Sequence, residues 1–474
     1  MTLRLLGGEM AGWSDAAPAG GSAYGFLLSE LRSLVPAGGR VLVAGPHDPA
    51  LLTGLRAYAE ITCFVRSQPD ADALSSAGFS VLCGSLAKLT DSDQYDLVVA
   101  LDGVGRLCSV EGPQFDWAES VQVLRRSLRP GGALLLAVEN ELGVHRLVDR
   151  VTPTAAHTDG DWRPLGEYDE TKPGTPSRLR ERLAADGLTP GWLATAWPLP
   201  SAPTLVIDEP RLRYGPAGAL AAVASGVTAT AYATRRVLSD PRRLASTAIR
   251  GGLGAELAPA WLVLAFRGPA PSLSLPPAVL NDGPLGPLPD GRLLEELLIG
   301  ACLRHDLPAL RQLLTSWVAA APGVSADNVI VGDSFAVLDP ARAAVAPAVA
   351  IGHFAATLLA GGYDQPWPHA HDVPSLTAVL LAAAGVSGAD LPEISDSAPD
   401  SLREHEERVR RLEEQLADAA IRVKYVETEL IHRDAELRKA RLQIDMFSGK
   451  VGYRITRFGM RAARAARRSL RKMT

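Results

Sequence analysis

Between residues 95 and 143 the spacing of apolar positions changes twice. Residues 96–101 (DLVVAL) form a short β-branched and aliphatic run, which predicts a buried strand. From residue 115 to 128 the spacing lengthens. Trp117, Val121, Leu124 and Leu128 fall three or four apart, and Arg125, Arg126 and Arg129 take the other side, which predicts a helix covering a sheet. Pro130, Gly131 and Gly132 stop that helix, and residues 133–138 supply a second buried strand. A strand, helix and strand of these lengths imply a parallel right-handed crossover, so the fold class is α/β.

The same alternation runs upstream. A helix is expected over 24–34, a strand over 40–44, a helix over 51–59, a strand over 61–65 and another over 79–84. Gly45 follows the first of these strands. Asp102, Glu139 and Asn140 follow the carboxyl ends of later strands, the edge at which open α/β sheets place their crevice. Against this stands a structural alternative, in which Asn140 caps the next helix and Glu139 is solvated.

These residues carry a resemblance. A "DLVV" strand, a helix ending in "LRPGG" and a further strand resemble the second half of class I S-adenosylmethionine-dependent methyltransferases. The resemblance implies a Rossmann-like sheet and S-adenosylmethionine as cofactor, with Gly45, Asp48, Asp102, Glu139 and Asn140 as cofactor-binding candidates; no catalytic residue is assigned. Several family positions depart from the pattern. Val43 stands for the acid of the first strand, and His47 and Pro49 for later glycines. Val65 and Arg66 stand where a carboxylate would accept the ribose hydroxyls, and Ser85 where an adenine-facing aspartate is common.

Beyond residue 138 the resemblance narrows. Glu139, Asn140, Leu142 and Gly143, then Ser177, Leu179, Leu183 and Gly187, then Pro198, Leu199, Pro200, Pro203 and Asp208 match three ordered motifs. They are similar to a bacterial subgroup of methyltransferase-like proteins whose genes accompany surface-polysaccharide glycosyltransferases. Together with residues 257–266, which fall at the subgroup's final strand, the match covers about residues 22–268. Trp197, Ser201 and Ala202 depart from it, at positions where a substrate contact would be expected.

Composition changes the picture little. The 47% hydrophobic and 21% charged residues are ordinary for a globular chain long enough for two or three domains, and the net charge of -5 argues against coating nucleic acid. Cys63, Cys83, Cys108 and Cys302 form no CxxC pair and read as reduced, cytosolic residues. The start, MTLRLLGGEMAGWSD, has no secretory pattern. Two alanine-rich stretches, 216–234 and 343–363, approach spanning length but are weakly apolar, so buried helices are expected. His145 and His157 read as structural. His369 and His371 beside Asp372 lack a further ligand at sensible spacing, so no metal is assigned.

The expected organisation is an N-terminal segment 1–21, the methyltransferase-like domain 22–268, a Pro/Gly-rich linker 269–290 and a small helical domain 291–393. A hinge 394–400, a coiled coil 401–450 and a basic amphipathic tail 451–474 follow. In the helical domain, helices are expected over 293–304 and 308–321, and strands 328–331 and 335–338 form a hairpin turning through Gly332, Asp333 and Ser334. The hairpin resembles the "N-strand-turn-strand-D" element of kinase-like folds, of which Asn328 and Asp339 remain. In the coiled coil, Leu402, Val409, Leu416, Val423, Leu430, Leu437 and Ile444 recur every seven residues, with Leu412, Ala419, Val426 and Ala440 as companions. Self-association follows most simply. Residues 450–474 carry nine Lys and Arg and no acid, interleaved with Ile455, Phe458 and Met473, which suits an anionic membrane surface.

Two functions follow from different classes. One is a methyltransferase acting on a surface-polysaccharide precursor or related sugar. The other is an inactive, methyltransferase-like scaffold that organises glycosyltransferases at the inner face of the plasma membrane. Both place the chain in the cytoplasm, with peripheral attachment through its tail.

Overall fold

The computed structural model describes residues 2–15, 18–90, 94–150, 165–386, 400–448 and 450–470. His157, most of the hinge and the last four residues therefore lie outside the described residues. The chain forms two compact units, Met1–Glu404 and His405–Thr474.

The first unit begins with β1 (Leu3–Gly7), α1 (Ser22–Glu30), β2 (Arg40–Ala44), α2 (Pro49–Arg56), β3 (Glu60–Val65), α3 (Gln68–Ser76), β4 (Ser80–Gly84) and β5 (Tyr95–Ala100). It continues through α4 (Trp117–Arg126), β6 (Leu128–Glu139), α5 (Val144–Val148), α6 (Pro176–Ala185), β7 (Thr189–Trp197) and β8 (Leu205–Asp208). Next come α7 (Glu209–Tyr214), α8 (Ala217–Tyr232), β9 (Arg236–Val237), α9 (Pro241–Arg250), β10 (Ala260–Phe266), β11 (Ala278–Leu280) and β12 (Gly283–Pro284). Eleven of these strands make one sheet, in the order β1-β4-β3-β2-β5-β6-β10-β7-β8-β11-β12. From β1 to β6 every pairing is parallel, while β10 runs antiparallel to both β6 and β7. The sheet is therefore a mixed, Rossmann-like one whose order reverses between β2 and β5.

Helices on both faces explain the unbroken apolar strands. Leu42, Phe64, Val98, Leu134 and Leu136 join the core on one face, and Val41, Val43, Cys63, Leu97, Val99 and Leu135 join the core on the other. Each such aliphatic side chain contributes roughly 1.5–3 kcal/mol by leaving water. The cover helix α4 starts on a capping box, in which Asp116 accepts from the Glu119 amide and Glu119 from the Asp116 amide. It ends at Arg126, short of the expected Leu128. Leu128 instead pairs with Tyr95, and the register resumes at Leu97 opposite Ala133, so Pro130, Gly131 and Gly132 bulge out of β6 rather than cap the helix. The bulge is held from the far side by Arg267, just past β10, since Gly131 N–H donates to Arg267 O at 2.7 Å and Arg267 N–H to Gly132 O at 2.9 Å.

Two sheet edges escape a sequence reading. β1 adds to β4, and β11 with β12 adds to β8, so part of the Pro/Gly-rich 269–290 stretch is sheet edge rather than free connector. The helical module packs within the same compact unit. It contains β13 (Arg292–Leu293), α10 (Leu294–Leu303), α11 (Leu307–Ala320), β14 (Val329–Val331), β15 (Phe335–Val337), α12 (Pro347–Ala360) and α13 (Val373–Ala384). The expected hairpin is present as β14 and β15, with β13 as a third strand. Leu298, Leu314, Trp317, Phe354 and Leu380 centre the module's own core. The two alanine-rich stretches are α8 and α12, and no helix among the described residues is long and apolar enough to cross a membrane.

A two-residue strand, β16 (Asp400–Ser401), pairs with β9 and ends the first unit. Then α14 (Leu402–Ser448) runs for 47 residues and α15 (Lys450–Leu470) for 21. The seven-residue row of α14 stands in solvent in the single chain; Leu416 is 70% and Leu430 61% exposed.

Candidate functional site

The crevice of an open α/β sheet lies outside the carboxyl ends of its strands where the order reverses. Here that point is the β2–β5 junction, and the chain's own side chains fill it. Gly45 leaves β2 with φ +95°, a conformation that favours glycine, and donates its N–H to Phe64 O at 2.9 Å. A Cβ on Gly45 would meet Leu107 at 3.5 Å and Asp102 at 3.6 Å, so protein already packs against the turn. His47 then folds back into the junction, 6% exposed. Its Nε2 accepts the Leu101 N–H at 3.1 Å, which places the ring proton on Nδ1, 3.0 Å from the Gly45 carbonyl it donates to. Burial holds the imidazole below its ordinary pKa, with help from Arg106, against the opposing pull of the Gly45 carbonyl and Asp102. The ring is a neutral strut between β2 and β5. Asp102 is also taken, by Arg106 four residues on, at 2.7 Å through Nε in a pair with both side chains almost wholly buried.

At the end of β3 the closure is ionic. Arg66 is fully buried, and its guanidinium meets Asp15 at 2.6 Å through Nη2 and at 3.1–3.2 Å through Nε. Nη1 donates to Cys108 O at 3.1 Å, and the guanidinium lies 5.3 Å from the Trp13 ring. Backbone pairing lays this N-terminal strap along the strand end, with Met10 N–H on Arg66 O (2.9 Å) and Gln68 N–H on Met10 O (3.2 Å). Asp70 fastens it further by accepting from the Asp15 N–H and the Ser14 hydroxyl, both at 2.9 Å. Sequence reasoning singled out Arg66 but not Asp15. The two are 51 residues apart, and nothing local links them.

The remaining candidates have structural contacts of their own. Asp48 caps α2, accepting from Ala50 N–H at 2.8 Å. Glu139 accepts from Arg146 at 2.7 Å and contacts His145 Nε2 at 3.1 Å. Asn140 is 1% exposed; it donates to Glu256 O and Ala258 O (2.6 and 2.9 Å) and accepts from Leu142 N–H at 3.0 Å. It thereby ties the end of β6 to the entry of β10, while the cap of α5 falls to Gly143. Gly45 and Asp102 face each other at the junction. Glu139 and Asn140 belong to the next strand end.

Elsewhere, Asn328 and Asp339 lock the hairpin by a reciprocal pair, Asn328 Nδ2 to Asp339 O at 3.0 Å and Asp339 N–H to Asn328 Oδ1 at 2.9 Å. Asp372 caps α13, and no group of His, Cys, Asp and Glu among the described residues could hold a metal. All four cysteines are buried and unpaired.

At the positions where the resemblance places the ribose and the amino-acid end of S-adenosylmethionine, the buried Arg66 offers only donors and the His47 ring is buried on contacts of its own, so neither supplies the contact that the resemblance implies. Ser85 in turn is fully buried, its hydroxyl accepting from Ser109 N–H at 3.3 Å.

No protein-family model matches the chain, and no curated protein matches it. Among solved structures it is similar to an S-adenosylmethionine-dependent methyltransferase of Thermotoga maritima, at 14% identity over 52% of this chain and 89% of that one, with a TM-score of 0.30. It is also similar to the 1,6-didemethyltoxoflavin-N1-methyltransferase of Burkholderia thailandensis, at 12% identity over 52% and 80%, TM-score 0.28. A third is the cyclase SpnF, at 17% identity over 51% and 79%, TM-score 0.29.

Proposed function

We propose that the chain is a non-catalytic scaffold built on a methyltransferase-like body. The observation that carries this reading is the self-filled junction, where Arg66 pairs with Asp15, Arg106 with Asp102, and His47 with the Leu101 N–H and the Gly45 carbonyl, in the place the resemblance gives to a cofactor. Opening it would leave a buried guanidinium without its carboxylate, an arrangement that costs several kcal/mol. A second reading, an active methyltransferase, is favoured by the strand order and by the retained Gly45 turn. Titration calorimetry with S-adenosylmethionine separates the two: no heat at millimolar cofactor is expected, and binding in the micromolar range would replace the scaffold with the enzyme.

The scaffold reading extends to the C-terminal helices. Their apolar row is exposed in the single chain, and a second copy is the simplest cover. A parallel, in-register pair brings Arg408 to Glu413, Arg422 to Glu427 and Glu436 to Arg441, against one like-charged meeting of Glu429 with Asp434. That orientation sets two basic tails at one end. Two weak membrane contacts then act together, because the second engages at high effective concentration. Glycosyltransferases of surface polysaccharide are the partners suggested by the motifs at 139–143, 177–187 and 198–208. Sedimentation with anionic vesicles checks this assembly. Removing residues 452–474 should abolish binding, and Leu416→Lys with Leu430→Lys should weaken it at least about tenfold by separating the chains. Unchanged binding in both variants would refute the arrangement.

A further inference from the structure

A second concavity lies away from the sheet crevice. It is a cleft of about 1150 Å³ between α8 and α9 on one side and α10, α12 and the Ser325–Asp327 turn on the other. We propose that this cleft binds a neutral oligosaccharide, held by side-chain hydrogen bonds and not by charge.

Formal charge in the walls is balanced, since five arginines and five carboxylates line the cleft. Three of each pair off. Asp240 holds Arg242 at 2.8 Å through Nη2 and 3.1–3.2 Å through Nε, Glu296 takes Arg250 at 3.0 Å, and Asp327 takes Arg342 at 2.7 Å. Arg243 and Arg292 then stand against Glu295 and Asp339. No excess of either sign is left to offset the hydration that an ionic ligand gives up on entry, so the walls select against net charge.

The walls offer instead a mixed set of uncommitted donors and acceptors. The side chains of Ser225, Asn281, Arg292, Glu295, His353 and Thr357 line the cleft and make no hydrogen bond or ion pair with any described residue. Arg292 can only donate and a Glu295 carboxylate only accept, whereas the hydroxyls, the amide and the imidazole do both. Each hydroxyl of a sugar also does both, so a chain of sugars meets this mixture at every ring. Most of the wall consists of side chains of α8, α9, α10 and α12, not of the open strand edge with which an extended peptide pairs. Ala222, Ile299 and the Tyr363 ring, which Arg243 stacks on at 4.9 Å, add apolar surface for the C–H faces of sugar rings. The cleft exceeds the roughly 300–1,000 Å³ of a pocket for one small molecule, which leaves room for several rings. The proposal is independent of the scaffold reading, because the cleft shares no residue with the β2–β5 junction.

The test is calorimetry on the full chain with three neutral trisaccharides, maltotriose, cellotriose and N-acetylchitotriose. Chitotriose at about pH 6 is the cationic counterpart and trigalacturonate the anionic one. At least one neutral trisaccharide should bind with a Kd of about 1 mM or tighter and raise the melting temperature. Its affinity should stay within about twofold between about 0.05 and 0.5 M salt, and both charged counterparts should bind at least about tenfold more weakly. Gly226→Leu should weaken binding at least about tenfold, because a side chain there meets nothing within 4 Å and so enters the cleft without disturbing packing. Thr357→Val keeps the shape of the wall, removes one hydroxyl and should weaken binding about fivefold. Melting temperatures of the two variants close to that of the parent show that they fold. Binding of no neutral trisaccharide at about 10 mM, a charged counterpart that binds as tightly as the neutral one, or unchanged affinity in both variants would overturn the proposal.

Discussion

The β2–β5 junction and the α8–α10 cleft are two concavities of one unit with opposite internal chemistry. At the junction the donors and acceptors are matched: Arg66 with Asp15, Arg106 with Asp102, and His47 with the Leu101 N–H and the Gly45 carbonyl. In the cleft three ion pairs are matched, and Glu295, Asp339, Arg243 and Arg292 line the same space outside those pairs. A matched, buried set resists opening, because any ligand must first break contacts that water cannot replace. An unmatched group in an open cleft has an interaction still to make.

The largest effect should come from unbalancing the junction. Asp15→Ala leaves the Arg66 guanidinium buried without a counter-charge and should cost about 3–5 kcal/mol in urea unfolding. Replacing both partners, Asp15→Leu with Arg66→Met, should recover most of that loss. If Asp15→Ala alone were neutral, the junction would not be held by this pair, and the contrast with the cleft would fail.

A smaller effect, of opposite sign at the two places, should appear in stability against pH. His47 titrates lower in the folded chain than in the unfolded one, so the unfolded state binds more protons below about pH 6.5. Its contribution is complete above that pH and is lost as pH falls. Glu295 is raised from 4.5 to about 7, so the folded state holds its proton longer. Its contribution is complete below about pH 4.5 and is lost as pH rises through 7. Glu295→Gln should therefore be more stable than the parent at pH 8, by on the order of 1–2 kcal/mol after allowance for solvent screening, and no different at pH 4. His47→Gln should flatten the acid limb instead. Thermal or urea unfolding across pH 4–8 checks both, and a Glu295→Gln protein no more stable at pH 8 would remove the distinction.

Much of the fold was legible along the chain, because a strand buried on both faces leaves an unbroken apolar run and a covering helix a three-to-four spacing. Strand β2 occupies residues 40–44 as read from the sequence, and β3 to β6 differ mainly at their ends. The departures arise where a distant segment intervenes. Residues 130–132 bulge where Arg267, just past β10, hydrogen-bonds Gly131 and Gly132, and part of the 269–290 stretch joins the sheet because β8 offers it an open edge.

The site divides in the same way. Sequence alone marked Arg66, His47 and Ser85 as departures from a cofactor-binding pattern, since side-chain chemistry at the end of a strand is a local property. Only the tertiary structure decided what those departures do. The Asp15–Arg66 pair joins residues 51 apart, the His47 ring spans two strands adjacent only in the sheet, and the raised pKa of Glu295 emerges once its burial and the approach of Asp327, Asp240 and Glu296 are set by the fold. Composition and spacing determine which elements form and which faces they bury. Pairing of charges across the fold depends on distances in space, which the order of residues along a chain does not contain.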